Sequence, residues 1–355
     1  MATFFEDIGD SAEAQAPRDP IWAINLDDPS NEKEILRWLN SEIQFLINAS
    51  HDRVKRQQRN LALYKGIQYE SQDTRQEKRD IGESRSNVMK KIVSNQLHDL
   101  ADNRASRLIK YKPAVAILPT NDELEDKISA KMTKALLDHI WYENKFEGEL
   151  SLKAATWAMV LGEFYQFPKW NPQKGDLAKY YKEAKKNAEK KGGKIPLLGE
   201  DGKQKTDPAG NPIWIEKPVK TGDVDYWMPL PMDVFPERTT AWDLANYIFV
   251  REVLSVDIAR AKYPEAASKI KAQDQGNIYD YETMSTRPAR NEVVLYHFMH
   301  RRSNFLDGGR HIIFSADAII KNIPSEYSHR DLPCVRFTDV DFPGEVQGYS
   351  FFELV

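Results

Sequence analysis

The residues in this chain with the right types and spacing for chemistry are few. Asp223-x-Asp225 and Asp339-x-Asp341 each set two carboxylates one strand repeat apart, so that both project from one face. Metal-dependent nucleases and phosphodiesterases use such pairs to hold a divalent cation that activates water. Neither pair has a Glu-x-Lys partner, and the spacing arises often by chance. His51-Asp52 has the form of a phosphohydrolase metal dipeptide, but His98 is the only histidine near it and no further ligands follow, so a helix surface accounts for it. His297 and His300 fall in a strand-like stretch, where residues three apart face opposite sides and make no shared metal site. Gly202-Lys203 is followed by Gln204 and Gly193-Lys194 by Ile195, so the hydroxyl of a phosphate-binding loop is missing from both. No serine sits in a nucleophile elbow. Cys334, in LPCVRF, reads as a buried structural thiol, and a lone cysteine excludes an internal disulfide and fits a reducing compartment. The expectation is a protein that is not an enzyme, with no catalytic residues, no cofactor and no metal.

One charge run remains. Lys169, Lys174, Lys179, Lys182, Lys185, Lys186, Lys190, Lys191 and Lys194 are met only by Asp176, Glu183 and Glu189. Lys179, Lys182, Lys185, Lys186, Lys190 and Lys191 are the candidate nucleic-acid contact, since lysines supply sequence-independent attraction to phosphates. A solvated Lys-rich helix ending at Gly192-Gly193 is the favoured alternative, because only Tyr180 and Tyr181 interleave and arginine is absent. The whole 355-residue chain has a formal net charge of −4, which speaks against a globally basic DNA binder. No apolar run reaches the roughly 18–20 residues of a membrane span. The N-terminus lacks the basic and apolar regions of a signal peptide.

The elements that must position these residues read as α+β, a helical N-terminal body packed with short strands and hairpins. Residues 1–29 are polar and acidic, a flexible arm whose Phe4-Phe5 and Ile21-Trp22 are suited to docking on a neighbour. The mainly helical body spans 30–170. Asn31 with Glu34 marks an N-cap, and Ile35, Leu36, Leu39, Ile43, Leu46 and Ile47 define a long amphipathic helix running to a stop at Gly66. After a charged loop over 71–86, a second helix over 87–111 carries Met89, Ile92, Val93, Leu97, Leu100, Ala101, Ala105, Leu108 and Ile109 on one stripe. An extended KPAVAILP follows. Thr120 with Glu123 then forms a capping box for a helix that sends Ile128, Met132, Ala135, Leu136, Leu137, Ile140 and Trp141 towards a core. Residues 150–161 are apolar nearly all round, a central helix ended by Gly162 and returned by the strand 164–167. Residues 171–222 form a Lys-rich helix and hairpin excursion, with Ile213-Trp214-Ile215 as a strand. Residues 223–355 are an α/β region: strands at 247–253, 291–301, 310–314, 318–320 and 334–337, a short helix capped by Ser255, and a polar, mobile connection over 273–289. The chain stops on an apolar helix start, FFELV, with no cap, so the natural protein is expected to continue beyond Val355.

This order resembles a known family. Helix, KPAVAILP, a capped helix ending in DHIWYENKF, apolar helix, Gly162, strand and KWNP are similar to the N-terminal body of the portal proteins of tailed bacteriophages, in the podovirus-like branch. RNLALYKGIQYE resembles that branch's NW-x-FYRGDQW segment, with both tryptophans absent. Pro231, Asp233, Val234, Phe235 and Glu237 fill a P-x-D-V-(F/Y)-x-(D/E) pattern of these proteins, and Lys262-Tyr263-Pro264 matches a further mark. The resemblance covers residues 60–355. It implies a portal wing-like fold, with stem, clip and crown beyond Val355. It also implies a homo-oligomeric ring, a dodecamer, at one capsid vertex of the virion, assembled in the host cytoplasm. Such a ring forms the conduit for double-stranded DNA packaging and ejection. Its partners would be the major capsid protein, scaffold protein, the terminase large subunit (transiently) and head-to-tail adaptor proteins, with no membrane. The alternatives are a metal-dependent nuclease or phosphodiesterase, or another head-tail connector component of the virion.

Overall fold

The computed structural model describes residues 29–67, 94–110, 115–172, 174–177, 220–272, 277–280, 285–288, 290–303, 306–325 and 327–353. It is a mixed helix-and-sheet structure divided into two compact units, each assembled from separate stretches of chain. Among the described residues, those up to Gln58 group with those of Met232–Pro333 and Pro343–Val346, and the other described residues form the second unit. The N-terminal arm and the excursion's 178–219, including the strand expected at Ile213-Trp214-Ile215, lie outside the described residues. The charged loop expected over 71–86 does too.

In the first unit, helix α1 (Pro29–Ala49) lies on a five-stranded antiparallel sheet. The strands are β3 (Val234–Pro236), β4 (Tyr247–Ser255), β7 (Glu292–His300), β8 (Arg310–Phe314) and β9 (Ile319–Ile323), in that spatial order. Ile35, Leu39, Ile43 and Leu46 recur at helical spacing and are fully buried against Phe235, Tyr247, Phe249, Phe298, Ile312 and Phe314. Each such side chain contributes about 1.5–3 kcal/mol through burial. Trp38 meets Phe298 edge-on at 5.7 Å, and the Tyr247 hydroxyl donates to Glu42 at 2.7 Å. The helix opens at Pro29 rather than at the expected cap Asn31, because a proline in the first turn forfeits no helical hydrogen bond.

Helix α2 (His51–Tyr64) continues α1 through Ser50, whose N–H bonds Leu46 and whose carbonyl accepts from Val54, both at 2.9 Å. The single helix read from the sequence is therefore two helices in register, and Gly66, at φ +80°, stops the second. On the other sheet face, α6 (Val256–Lys262) buries Val256 and Ala259 against Val293, Leu295 and Ile270. Its Ser255 cap accepts from the Ile258 N–H at 3.4 Å, as the sequence indicates. Residues 273–289, expected as a mobile connection, contain two short paired strands, β5 (Asn277–Asp280) and β6 (Ser285–Pro288). Ile278, Tyr279 and Thr286 favour that extended backbone.

In the second unit, α3 (Gln96–Lys110) packs on α5 (Ser151–Leu161), which leads into β1 (Glu163–Asn171). β1 pairs antiparallel with β10 (Val335–Thr338) through its first half and with β2 (Asp223–Trp227) through its second. The short pair β11 (Val340–Asp341) and β12 (Gly348–Tyr349) lies beyond β10. The helix read over 87–111 starts, within the described residues, only at Gln96. Asn95 Oδ1 accepts from the His98 N–H at 3.3 Å there, a side-chain cap. Of the described residues of its expected stripe only Ala101 and Ala105 are buried, while Leu100 and Leu108 are exposed; Met89, Ile92 and Val93 lie outside the described residues. Residues 115–119 run extended without joining a sheet.

The largest departure is α4 (Leu124–Glu143). Its cap residue is Glu123, without a side-chain bond, and the Asn121 N–H is taken by Asp126 at 3.2 Å, so the Thr120 capping box does not form. None of its residues is buried. Ile128, Met132, Leu136 and Leu137, read as core residues, are 48%, 68%, 58% and 42% exposed. Leu124, Ile128, Met132, Leu136 and Ile140 recur every four residues, and each step overshoots a 3.6-residue turn by about 40°. The stripe winds round the helix instead of making one face for its own body.

Candidate functional site

The second unit holds its densest polar cluster where α5 turns into β1. Helix α5 buries Ala158, Met159, Val160 and Leu161 and ends at Gly162, whose φ of +86° favours glycine. A Cβ there would lie 2.7 Å from Ser350 N and from Tyr349 C, so the returning segment can come close only because position 162 is bare. Glu163 follows, with no exposed surface. Its Oε2 accepts from the Tyr165 hydroxyl at 3.0 Å and the Gly348 N–H at 3.2 Å, and pairs with Arg336 Nε at 3.6 Å. Two hydrogen bonds and a nearby guanidinium at one oxygen offset part of the cost of burying this side chain.

The same cluster fastens the segment 348–353. The Ser350 hydroxyl donates to the Met159 carbonyl and accepts from the Phe352 N–H at 3.1 Å. Asp339 Oδ2 accepts from the Phe351 N–H at 3.1 Å, and its Oδ1 pairs with Arg104 of α3 at 2.9 Å. Burial raises the Asp339 carboxyl above its ordinary value, against the pull of Arg104. Arg104 also lies over the Phe351 ring at 5.1 Å. Asn60 donates to Glu353 at 2.8 Å. The arrangement holds a chain segment; it presents no open acid, base or nucleophile.

The first unit has a comparable joint at the motif Asp233-Val234-Phe235. Arg251 closes on Asp233 with its Nε at 2.7 Å and its Nη2 at 2.5 Å. Arg53 of α2 donates to the Val234 carbonyl at 2.5 Å, and the two guanidinium groups each lie 5.9 Å from the Phe235 ring centre. Glu237 accepts from the Asn246 N–H at 2.6 Å. The acidic residues of this motif are thus internal fasteners of the sheet.

The carboxylate pairs singled out from the sequence are spoken for as well. Asp225 accepts from its neighbour's Tyr226 N–H at 3.0 Å and from Asn171 at 3.3 Å, with Lys174 3.9 Å away; Asp223 accepts from the Val224 N–H at 2.7 Å. Asp339 and Asp341 do not act as a pair. The Asp339 side chain is 6% exposed on Arg104, while that of Asp341 is 67% exposed, 3.8 Å from Arg336. His51 and Asp52 are exposed at the start of α2. His98 is engaged by Asp102 at 3.3 Å and by the Tyr64 ring at 4.6 Å. His297 and His300 face opposite sides of β7: His297 meets Glu252, and His300 stacks on Tyr247. Burial pushes the Cys334 thiol up to about 12, far from the thiolate a nucleophile needs. Among the described residues no three His, Cys, Asp or Glu side chains converge as a metal site would require. Lys179, Lys182, Lys185, Lys186, Lys190 and Lys191 lie outside the described residues.

Sequence reasoning missed Glu163, Arg104, Arg336 and Arg53. One signal was available for the first: Glu163, Tyr165 and Phe167 alternate on the buried side of β1, so a carboxylate stood where an inward side chain was due. No local pattern marks the arginines, whose partners lie far along the chain.

Against known proteins, no protein-family model matches this chain, and no curated protein matches its sequence. Among the described residues, no helix is long and apolar enough to cross a membrane.

Proposed function

We propose that this chain is a structural subunit of a phage portal, the homo-oligomeric ring at one capsid vertex. In that role it forms part of the conduit for double-stranded DNA, and the ring docks the terminase large subunit, head-to-tail adaptors, scaffold and capsid protein. The single observation that carries the reading is the exposed apolar surface of α4. Leu124, Ile128, Met132 and Leu136 stand open along a helix with no buried residue. A 20-residue helix with no buried residue is marginal in water, and exposed apolar surface running along it marks a contact with another molecule. A subunit of a ring meets that need with its own neighbour.

The helix is also held ready at one end. Trp141 stacks on Phe146 at 4.7 Å, and Phe146 meets Tyr226 edge-on at 4.8 Å. Asn144, its C-cap, donates to the Val224 carbonyl at 3.2 Å and accepts from Lys174 at 2.6 Å. A near-neutral net charge suits a conduit that must release its cargo, because many phosphate contacts would slow passage.

Negative-stain images of the natural full-length product test the proposal. Rings with a central channel are expected. Discrete monomers at micromolar concentration, or chelator-sensitive cleavage of DNA by the purified protein, would overturn it; the latter would instead favour the metal-dependent nuclease reading.

A further inference from the structure

A buried polar row crosses the five-stranded sheet and has no part in the reading above. Glu252 on β4, His297 on β7 and His311 on β8 lie side by side, and Lys262 of α6 closes the row. Lys262 Nζ reaches both Glu252 oxygens at 2.8 Å. Glu252 Oε2 lies 3.0 Å from His297 Nε2, and His297 Nδ1 lies 3.3 Å from His311 Nε2. The His297 side chain is 7% exposed and that of Glu252 is 18% exposed.

Hydrogen-bond bookkeeping limits how many protons this row can hold. His297 gives its Nε2 proton to the carboxylate. The contact between the two rings then needs one proton on one of its two nitrogens. With both rings neutral, His311 donates to His297; with one added proton, His297 donates to His311. A second added proton sets N–H against N–H, and the bond is lost.

We infer that this row is a proton-linked latch: it holds the β8–β9 hairpin to β7 while the imidazole pair carries at most one added proton, and lets the hairpin open when both rings are charged. The cations around His311 favour this, and one carboxylate in the row works against it. His297 on β7 and Lys321 on β9 repel a charge there, Lys262 on α6 adds a third cation to the row, and Glu252 is the row's single carboxylate. Tyr263, beyond Lys262, is pushed above its ordinary value by burial and by Glu252, so it stays neutral.

Burial first, then His297 and Lys321, bring the His311 pKa down from 6.5 to about 3 in the closed sheet. Once released, the ring returns to about 6.5. The open hairpin therefore takes up a proton that the closed one refuses. Its opening equilibrium should rise by about tenfold per pH unit below about 6.5, levelling off near the closed-state value.

Hydrogen exchange of the intact protein, expressed as protection factors from pH 7 to pH 4.5, tests the latch. Residues 310–323 should lose about 100-fold in protection over that range, and β4 much less. In His311→Gln the amide still donates to His297 but cannot titrate, so the loss should shrink to tenfold or less; His311→Asn serves if the glutamine variant does not fold at pH 7. Equal loss in β4 and β8–β9, or an unchanged profile in the variant, would overturn the proposal. So would a His311 ring that titrates near 6.5 in the folded wild type, read from its imidazole nitrogen shifts.

Discussion

Helices α1 and α4 are nearly the same length, 21 and 20 residues, and both carry apolar residues at helical spacing. Their fates differ completely. α1 buries Ile35, Leu39, Ile43 and Leu46 against aromatic strands, whereas α4 buries nothing and is fixed only near its C-terminal end. Helix α1 keeps its large residues within one stripe and finds a sheet face of Phe235, Phe249, Phe298 and Phe314 to receive it. Helix α4 spreads its stripe round the cylinder, and among the described residues of its own unit only those near its C-terminal end meet it. Apolar periodicity states that a face is to be covered. It does not state by what.

That contrast can be broken most sharply in the sealed region. Phe298→Ala opens a cavity under Trp38 and Tyr247 and should cost about 3–5 kcal/mol in denaturant unfolding; a loss below about 1 kcal/mol would show that α1 and its sheet are not the core of the first unit. The buried charge in the second unit comes next. Glu163→Gln removes the buried carboxylate from Arg336, 10% exposed, leaving it the exposed Asp341 at 3.8 Å as a charge partner, and should cost about 3 kcal/mol. A neutral result would mean that water already reaches the pair.

The sealed side should also be the pH-sensitive side. His300 is pressed from 6.5 down to about 4, chiefly by burial, and His311 to about 3. An unfolded chain binds protons at both below about 6.5, and the folded chain does not until lower pH. Stability is therefore level above about pH 7 and falls as pH drops from about 6.5 towards 4. A thermal midpoint that stays constant from pH 7 to pH 4.5 would contradict the buried, neutral state of both rings.

On the open side the same measurements should show little. Asp225→Asn keeps an oxygen for the Tyr226 N–H and weakens the 3.3 Å bond from Asn171 and the 3.9 Å contact with the part-buried Lys174, a cost of about 0.5–1 kcal/mol. Met132→Ala should change the unfolding free energy of the unassembled subunit by less than about 0.5 kcal/mol, since there its side chain faces solvent.

The legible parts of this molecule were those governed by local pattern. The β7–β8 hairpin follows from its β-branched and aromatic runs around Asp307-Gly308-Gly309, and the Ser255 cap and the Gly66 and Gly162 stops follow from backbone chemistry. The division between α1 and α2 at Ser50 was not legible, because no proline or glycine marks it. Nor were the joints at Asp233, whose arginine arrives on the next strand 18 residues on, and at Asp339, whose arginine lies 235 residues away. Asp223 and Asp225 share strand β2, whereas Asp339 sits at the bend between β10 and β11 with Asp341 on the next strand; spacing alone carries no information on this, nor on whether a lysine or arginine will arrive.

The most direct test of the central claim is the mass, in solution, of the full-length protein and of its Ile128→Ser, Met132→Ser, Leu136→Ser variant. The account predicts a ring-sized particle for the parent. A folded, smaller species is expected for the variant, with an unfolding midpoint below that of the ring because neighbouring subunits no longer support it. A variant that assembles as the parent does, or a parent that remains monomeric, would contradict it.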